Sequence, residues 1–197
     1  MANTYDFENK TPLETYEWDD VWYELTYNGT AKRILYIGDS ISCVTRRKIT
    51  EISNQTILCD GYATSKAVDN KFFKQQITLC LEQQPKTDLI VFNNGLHGFH
   101  LSDEDYAYHY EDLIKFISSK TDAPIYLAKS TFVKTDNNDR VIARNKVVEV
   151  IAKKLGLPVI DLYSVATKNA DKLSSDGVHF LDEGYQSLAE EILNSIK

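Results

Sequence analysis

The sequence predicts an α/β domain built on a parallel sheet with helices on both faces. Three observations point there. Short apolar runs recur along the chain, longer stretches of helical period separate them, and polar loop-forming residues collect just after the runs. Right-handed crossovers are what join parallel strands, so alternation repeated this often implies such a sheet.

The runs at 33–37 (RILYI), 56–59 (TILC), 88–92 (DLIVF), 124–128 (PIYLA) and 157–161 (LPVID) read as five strands, each apolar enough to be buried on both faces. Phe73, Ile77, Cys80 and Leu81 form one helical stripe, and Tyr106, Tyr110, Leu113, Ile114 and Ile117 form another. Ser102, with Asp105 three residues later, opens the second of these as a capping box. Val141, Val148, Ile151, Ala152 and Leu155 make a third stripe, which stops at Gly156 before Pro158. Tyr185, Leu188, Ala189, Ile192, Leu193 and Ile196 make the last. Residues 1–30 precede the first strand and carry Tyr16, Trp18, Trp22, Tyr23 and Tyr27 among acidic residues. This segment is expected to pack its aromatics onto a domain spanning 31–197.

At 197 residues, 43% hydrophobic and 26% charged, the chain suffices for one domain whose core needs no disulfide staples. A formal charge of −7 argues against nucleic acid or an anionic membrane as the main partner, since both select basic patches. No apolar run is long enough to span a bilayer, and the polar, acidic start does not look like a signal peptide. Cys43, Cys59 and Cys80 are odd in number and lack CxxC spacing, so they read as reduced, buried thiols. Both features lead us to expect a cytoplasmic location for the chain as given, with export as the alternative had a leader been removed. Nothing basic flanks the cysteines, so none is expected to be a nucleophile.

In open α/β sheets, ligands bind outside the carboxyl ends of the strands. Gly38-Asp39-Ser40 follows the first run, Asp60-Gly61-Tyr62 the second, and Asn93-Asn94-Gly95-Leu96-His97-Gly98 the third. SSDGVHF, holding Asp176 and His179, precedes the final helix. Ser40 after a buried strand is either a helix cap or a nucleophile. Asp176 and His179 stand three apart on a turn that Gly177 makes sterically easy, so the carboxylate can accept from imidazole Nδ1 while Nε2 faces a partner. Ser40 is the obvious partner, because a serine hydroxyl needs an oriented base before it can attack a carbonyl. Asp39 is expected to brace the turn. His97, His100 and His109, with Asp103 nearby, fit no standard ligand spacing, and no metal is expected. Arg46 and Arg47 read as a solvated helix face, though they could meet an anionic substrate group. Ser130 and Thr131 are candidates for further substrate contacts, with a plain turn as the alternative.

GDSIS (38–42), Gly61, the NNGLHG loop (93–98) and DGVHF (176–180) resemble, in order and spacing, the four sequence blocks of the SGNH/GDSL hydrolase family, from about residue 33 to the C-terminus. The resemblance implies a flavodoxin-like three-layer α/β/α sandwich with a five-stranded parallel sheet, and ester hydrolysis without metal or cofactor. Ser40 matches the nucleophile, Asp176 and His179 the acid and base of the triad, and Gly61 the backbone oxyanion donor. The third block departs from the family's Gly-x-Asn-Asp: anchoring on Gly95 puts His97 at the Asn and Gly98 at the Asp. A neutral imidazole has one N–H to donate, so His97 is the leading side-chain oxyanion donor and Asn94 the competitor. The substrate implied is a small-molecule or carbohydrate ester, with a short acyl group favoured. The competing reading is a non-catalytic flavodoxin-like or degenerate SGNH module binding a phosphate, nucleotide or glycan. That reading gives His179 no role, and neither GxGxxG nor GxxxxGK[ST] occurs.

Overall fold

The computed structural model describes residues 14–84 and 86–196; residues 1–13 of the expected N-terminal segment lie outside them. All five apolar runs form strands: β2 (Lys32–Gly38), β3 (Ile57–Thr64), β4 (Leu89–Phe92), β5 (Ile125–Ala128) and β6 (Val159–Ile160). They pair in parallel in the order β3-β2-β4-β5-β6, the flavodoxin-like arrangement. The sheet has a sixth strand. Residues Asp19–Trp22 form β1, antiparallel to β3 on its outer side.

This strand is a correction to the five-stranded expectation, and its chemistry explains why pattern reading passed over it. It is four residues long, begins with two aspartates, and its side chains are mostly exposed. Such a segment carries no apolar alternation. Its partner β3 likewise runs well past the apolar run 56–59, because Asp60 inside it is neutralised. Arg33 Nη1 lies 3.0 Å from both carboxylate oxygens of Asp60, with each side chain at most 2% exposed. The Glu24 N–H and Gln84 Nε2 also donate to Asp60, at 2.6 and 2.7 Å, while Arg33 Nη2 donates to the Leu25 carbonyl at 2.8 Å. A buried carboxylate tolerates a strand interior when its acceptors are filled in this way.

Helices cover both faces. On one, α2 (Phe73–Gln83), α3 (Asp103–Ser118) and α4 (Asn138–Leu155) bury Phe73, Ile77, Tyr110, Ile114 and Ile151 against Leu35, Ile37, Ile90 and Phe92. On the other, α1 (Ser40–Ile52), α5 (Leu162–Lys168) and α6 (Asp182–Ser195) pack Ile49, Leu162, Leu188 and Ile192 against Ile34, Tyr36 and Val91. Each such fully buried aliphatic side chain contributes about 1.5–3 kcal/mol. The Ser102 hydroxyl caps α3 by accepting from the Asp105 N–H, and α4 ends at Gly156 with φ +68°. Helix α1 shows no apolar stripe in the sequence because its buried face includes Ser42, Thr45, Arg46 and Thr50. Those hydroxyls are matched inside the fold: Thr45 Oγ1 donates to the Ile41 carbonyl at 2.7 Å, and Thr50 Oγ1 accepts from the Cys59 N–H at 3.0 Å. No helix among the described residues is long and apolar enough to cross a membrane.

The registers bring the rim together. Gly38 lies opposite Ala63 and Ile37 opposite Phe92, so β2, β3 and β4 end at one level and release their loops along a single edge. Asp60→Ala, which strands the Arg33 guanidinium, is expected to cost about 3–5 kcal/mol in urea unfolding; a loss under about 1 kcal/mol would show that the pair does not hold this edge.

Candidate active site

The junction from β2 to α1 is built for close contact. A Cβ on Gly38 would sit 2.8 Å from Ser42 Cβ, so a glycine is required for the chain to turn there. Asp39 is the N-cap, its side chain accepting from the Ile41 N–H at 3.0 Å, and Ser40 is the first residue of the helix. Asp39 thus fills the bracing role the sequence suggested. Its full burial pushes the carboxyl up, against the lowering pull of the His97 and His179 imidazoles and the Ile41 N–H. Both imidazoles therefore lie within electrostatic reach of the residue that precedes Ser40.

The loop before α6 delivers the other two groups. Asp176 Oδ1 accepts from the N–H of Val178 and of His179, at 2.8 and 2.9 Å, and from Ser174 Oγ at 2.7 Å. Asp176 Oδ2 lies 2.7 Å from His179 Nδ1, and His179 Nε2 lies 2.8 Å from Ser40 Oγ. The structure therefore joins Ser40, His179 and Asp176 in one hydrogen-bonded chain. Gly177 takes φ +71°, and a Cβ there would press to 2.8 Å on the Lys134 carbonyl. The Lys134 N–H in turn donates to the Gly177 carbonyl at 2.7 Å, which braces the turn from outside. Desolvation works against ionisation of Asp176, yet the bonds from His179, Val178 and Ser174 hold its carboxyl well below the usual carboxylate range. It stays charged opposite the imidazole.

The oxyanion candidates fare differently. Gly61 lies inside β3, paired with Trp22 on one side and Tyr36 on the other, three residues short of the strand's end. Its glycine character has another cause: a Cβ there would overlap Cδ and Nη1 of Arg46. Gly61 makes room for a buried arginine, which corrects its assignment as oxyanion donor. Asn94, the competing side-chain donor, faces the neighbouring loop. Its side-chain amide donates to the Lys66 carbonyl at 2.8 Å and the residue is 1% exposed, so it ties the loop after β4 to the turn after β3. His97 remains at the rim, its side chain 20% exposed and its ring edge-on to Trp18.

Other expectations are revised. Arg46 is not solvated; it is buried and bonded to Asp20 at 2.7 Å, while exposed Arg47 stacks on Trp22. Ser130 and Thr131 are both buried, and the Ser130 backbone is bridged by the Asn145 amide at 2.8 and 2.9 Å, so they fasten a loop. His100 bonds Asp69 at 3.0 Å, and His109 sits on α3 against the Tyr108 ring. Burial pushes the Cys43 and Cys80 thiols up to about 11 and Cys59 higher still, which leaves no thiolate to act. Sequence reasoning missed Glu14, whose Oε1 accepts from the Gly98 N–H at 2.6 Å; an acid in a polar N-terminal stretch gives no pattern by which to find it.

A hydrolase-like α/β/α domain with a serine, histidine and aspartate aligned across its carboxyl rim is the class that fold and site define. Solved structures of this shape agree. A lipolytic G-D-S-L protein from Veillonella parvula matches with TM-score 0.67 at 17% identity, over 83% of this chain and 97% of that one. An acetylxylan esterase from Geobacillus stearothermophilus matches with TM-score 0.63 at 16% identity, over 85% and 95%. A lipase/acylhydrolase from Enterococcus faecalis gives 0.63 at 19%, over 84% and 95%. The chain thus has the GDSL/SGNH hydrolase fold. Among curated proteins, an acetylxylan esterase from Xylanibacter ruminicola is 36% identical over 62 residues, a stretch that is 30% of this chain and 13% of that protein. No protein-family model matches the chain.

Gly61→Ala is expected to destabilise the fold by about 1–3 kcal/mol through overpacking. If the contact with Arg46 is the cause, the penalty shrinks in an Arg46→Ala background; equal penalties in both urea series would refute it.

Proposed function

We propose that the protein is a serine esterase that removes a short acyl group, acetyl above all, from a carbohydrate or small alcohol. The observation that carries this reading is the continuous chain from Ser40 Oγ through the His179 imidazole to Asp176. The acetylxylan esterases among the similar proteins favour the acetyl and carbohydrate parts of it. The site is also open, with the His179 and Asp176 side chains 41% and 50% exposed, so an ester borne on a larger sugar chain can approach.

In this mechanism Ser40 Oγ attacks the ester carbonyl carbon as His179 Nε2 takes its proton. Asp176, already ionised and aimed at Nδ1, stabilises the imidazolium and fixes its orientation. The carbonyl oxygen becomes an oxyanion next to the N-terminus of α1, where the Ser40 N–H has no intrahelical acceptor and the helix dipole is positive. His97 is the side-chain donor, supplied by the third rim loop. His179 then protonates the leaving alcohol oxygen, the acyl group stays on Ser40, and water activated by the same imidazole releases the acid and restores the serine. Neither metal nor cofactor enters these steps.

A fluorophosphonate probe should label the native protein once, at Ser40, and p-nitrophenyl acetate should be cleaved faster than longer acyl esters. Ser40→Ala and His179→Ala are each expected to lower kcat on the order of 10⁴-fold or more, and His97→Ala roughly 10²–10³-fold. An unlabelled protein that turns over neither aryl acetates nor acetylated xylo-oligosaccharides would overturn the reading in favour of a binding module.

A further inference from the structure

The His97–Gly98 peptide is gripped from both sides. Its carbonyl accepts from Arg144 Nη1 at 2.5 Å, and its N–H donates to Glu14 Oε1 at 2.6 Å. In a planar trans peptide these two groups point in opposite directions, so cation and anion clamp one peptide plane between them. Arg144 does more: Nη1 also donates to the Gly95 carbonyl at 3.1 Å and Nη2 to the Gly98 carbonyl at 2.5 Å. Its guanidinium lies 4.5 Å from the ring centroids of both Phe99 and Tyr106, and the residue is 0% exposed.

An arginine in this setting is costly to keep. Desolvation lowers its pKa, its acceptors among the described residues are carbonyls of one loop rather than a carboxylate, and Nε has no partner there. A neutral side chain would fill the same volume without that penalty. What a guanidinium supplies and a neutral group cannot is a rigid fork that fixes several carbonyls at once. Turning the carbonyls of residues 95, 97 and 98 toward α4 orients the backbone on which the His97 ring is carried. Glu14 locks the same peptide from the opposite side, and its carboxylate lies 3.8 Å from His97 Nδ1.

We propose that Arg144 and Glu14 are a pair of positioning residues that set the His97 side chain for oxyanion stabilisation, one from the core and one from the N-terminal segment. The proposal rests on the esterase reading and on His97 as donor. It assigns the N-terminal segment a part in the reaction beyond packing.

The test is a set of variants assayed with p-nitrophenyl acetate. Arg144→Met and Glu14→Ala should each lower kcat by about 10- to 100-fold, a fraction of the cost of losing an oxyanion donor, with KM nearly unchanged. Glu14→Gln keeps an acceptor for the Gly98 N–H and should recover most of the loss. Arg140→Ala frees the Phe99 and Leu101 carbonyls but not the His97 peptide, and should leave kcat near the native value. In a His97→Ala background, neither Arg144→Met nor Glu14→Ala should cost anything more, because they act through that ring. Losses that simply multiply, or a Glu14→Gln no better than Glu14→Ala, would overturn the proposal. Glu14 is at the surface, so its variants keep the test open should Arg144→Met fail to fold. A native protein inert to both ester and probe overturns the esterase reading and this assignment with it. An active one whose kcat ignores Glu14→Ala overturns the clamp alone.

Discussion

A guanidinium inside a protein fixes whatever its fork bonds, and this fold is arranged around three of them. Among the described residues, Arg33, Arg46 and Arg144 are the largest fully buried side chains. Each ties something peripheral to the sheet. Arg33 holds Asp60 and the carbonyl of Leu25, which anchors the chain ahead of β2. Arg46 reaches from α1 to Asp20 and fixes β1 against β3. Arg144 gathers the loop after β4. Apolar packing on its own is non-directional and would leave those segments free to shift; hydrogen bonds to a rigid, permanently charged fork give them one place to sit.

That rigidity matters because the site is assembled from distant parts of the chain. Ser40 and His179 are 139 residues apart yet meet at 2.8 Å. Ser40 is held at the end of a buried strand by a capped helix, and His179 by a turn whose shape depends on Gly177 and on the Lys134 backbone. Reacting groups displaced by an ångström lose much of their effect. The rim loops are accordingly fastened through their backbone, by the Asn94 amide within the loop after β4 and by the Asn145 amide from α4.

What could be read from the sequence follows from which signals are periodic. The five parallel strands announce themselves because both their faces are buried, and Ser40, Asp176 and His179 because their blocks together resemble a known family, each being an ordinary cap, turn or loop residue taken alone. Gly61 misled for a physical reason: a glycine after an apolar run looks like a turn, but here the strand continues through Asp60 on the strength of Arg33, and the glycine serves Arg46. Helix α1 shows no apolar stripe because its buried face is polar, and α5 escapes notice through its length of seven residues. Glu14, Arg144 and β1 act through long-range partners that no local spacing reveals.

The borders of the sheet show one more consequence of the strand contributed by the leading segment. Strands with open main-chain donors and acceptors invite other chains to add to them. At the far border β6 is two residues long, too short to template much. At the near border β1 covers β3 and turns outward a four-residue edge that starts with two carboxylates, an uninviting surface for a neighbouring sheet. Stripped of residues 19–22, the domain would lay open Gly61–Thr64 of β3 as a bare edge on which another chain could add.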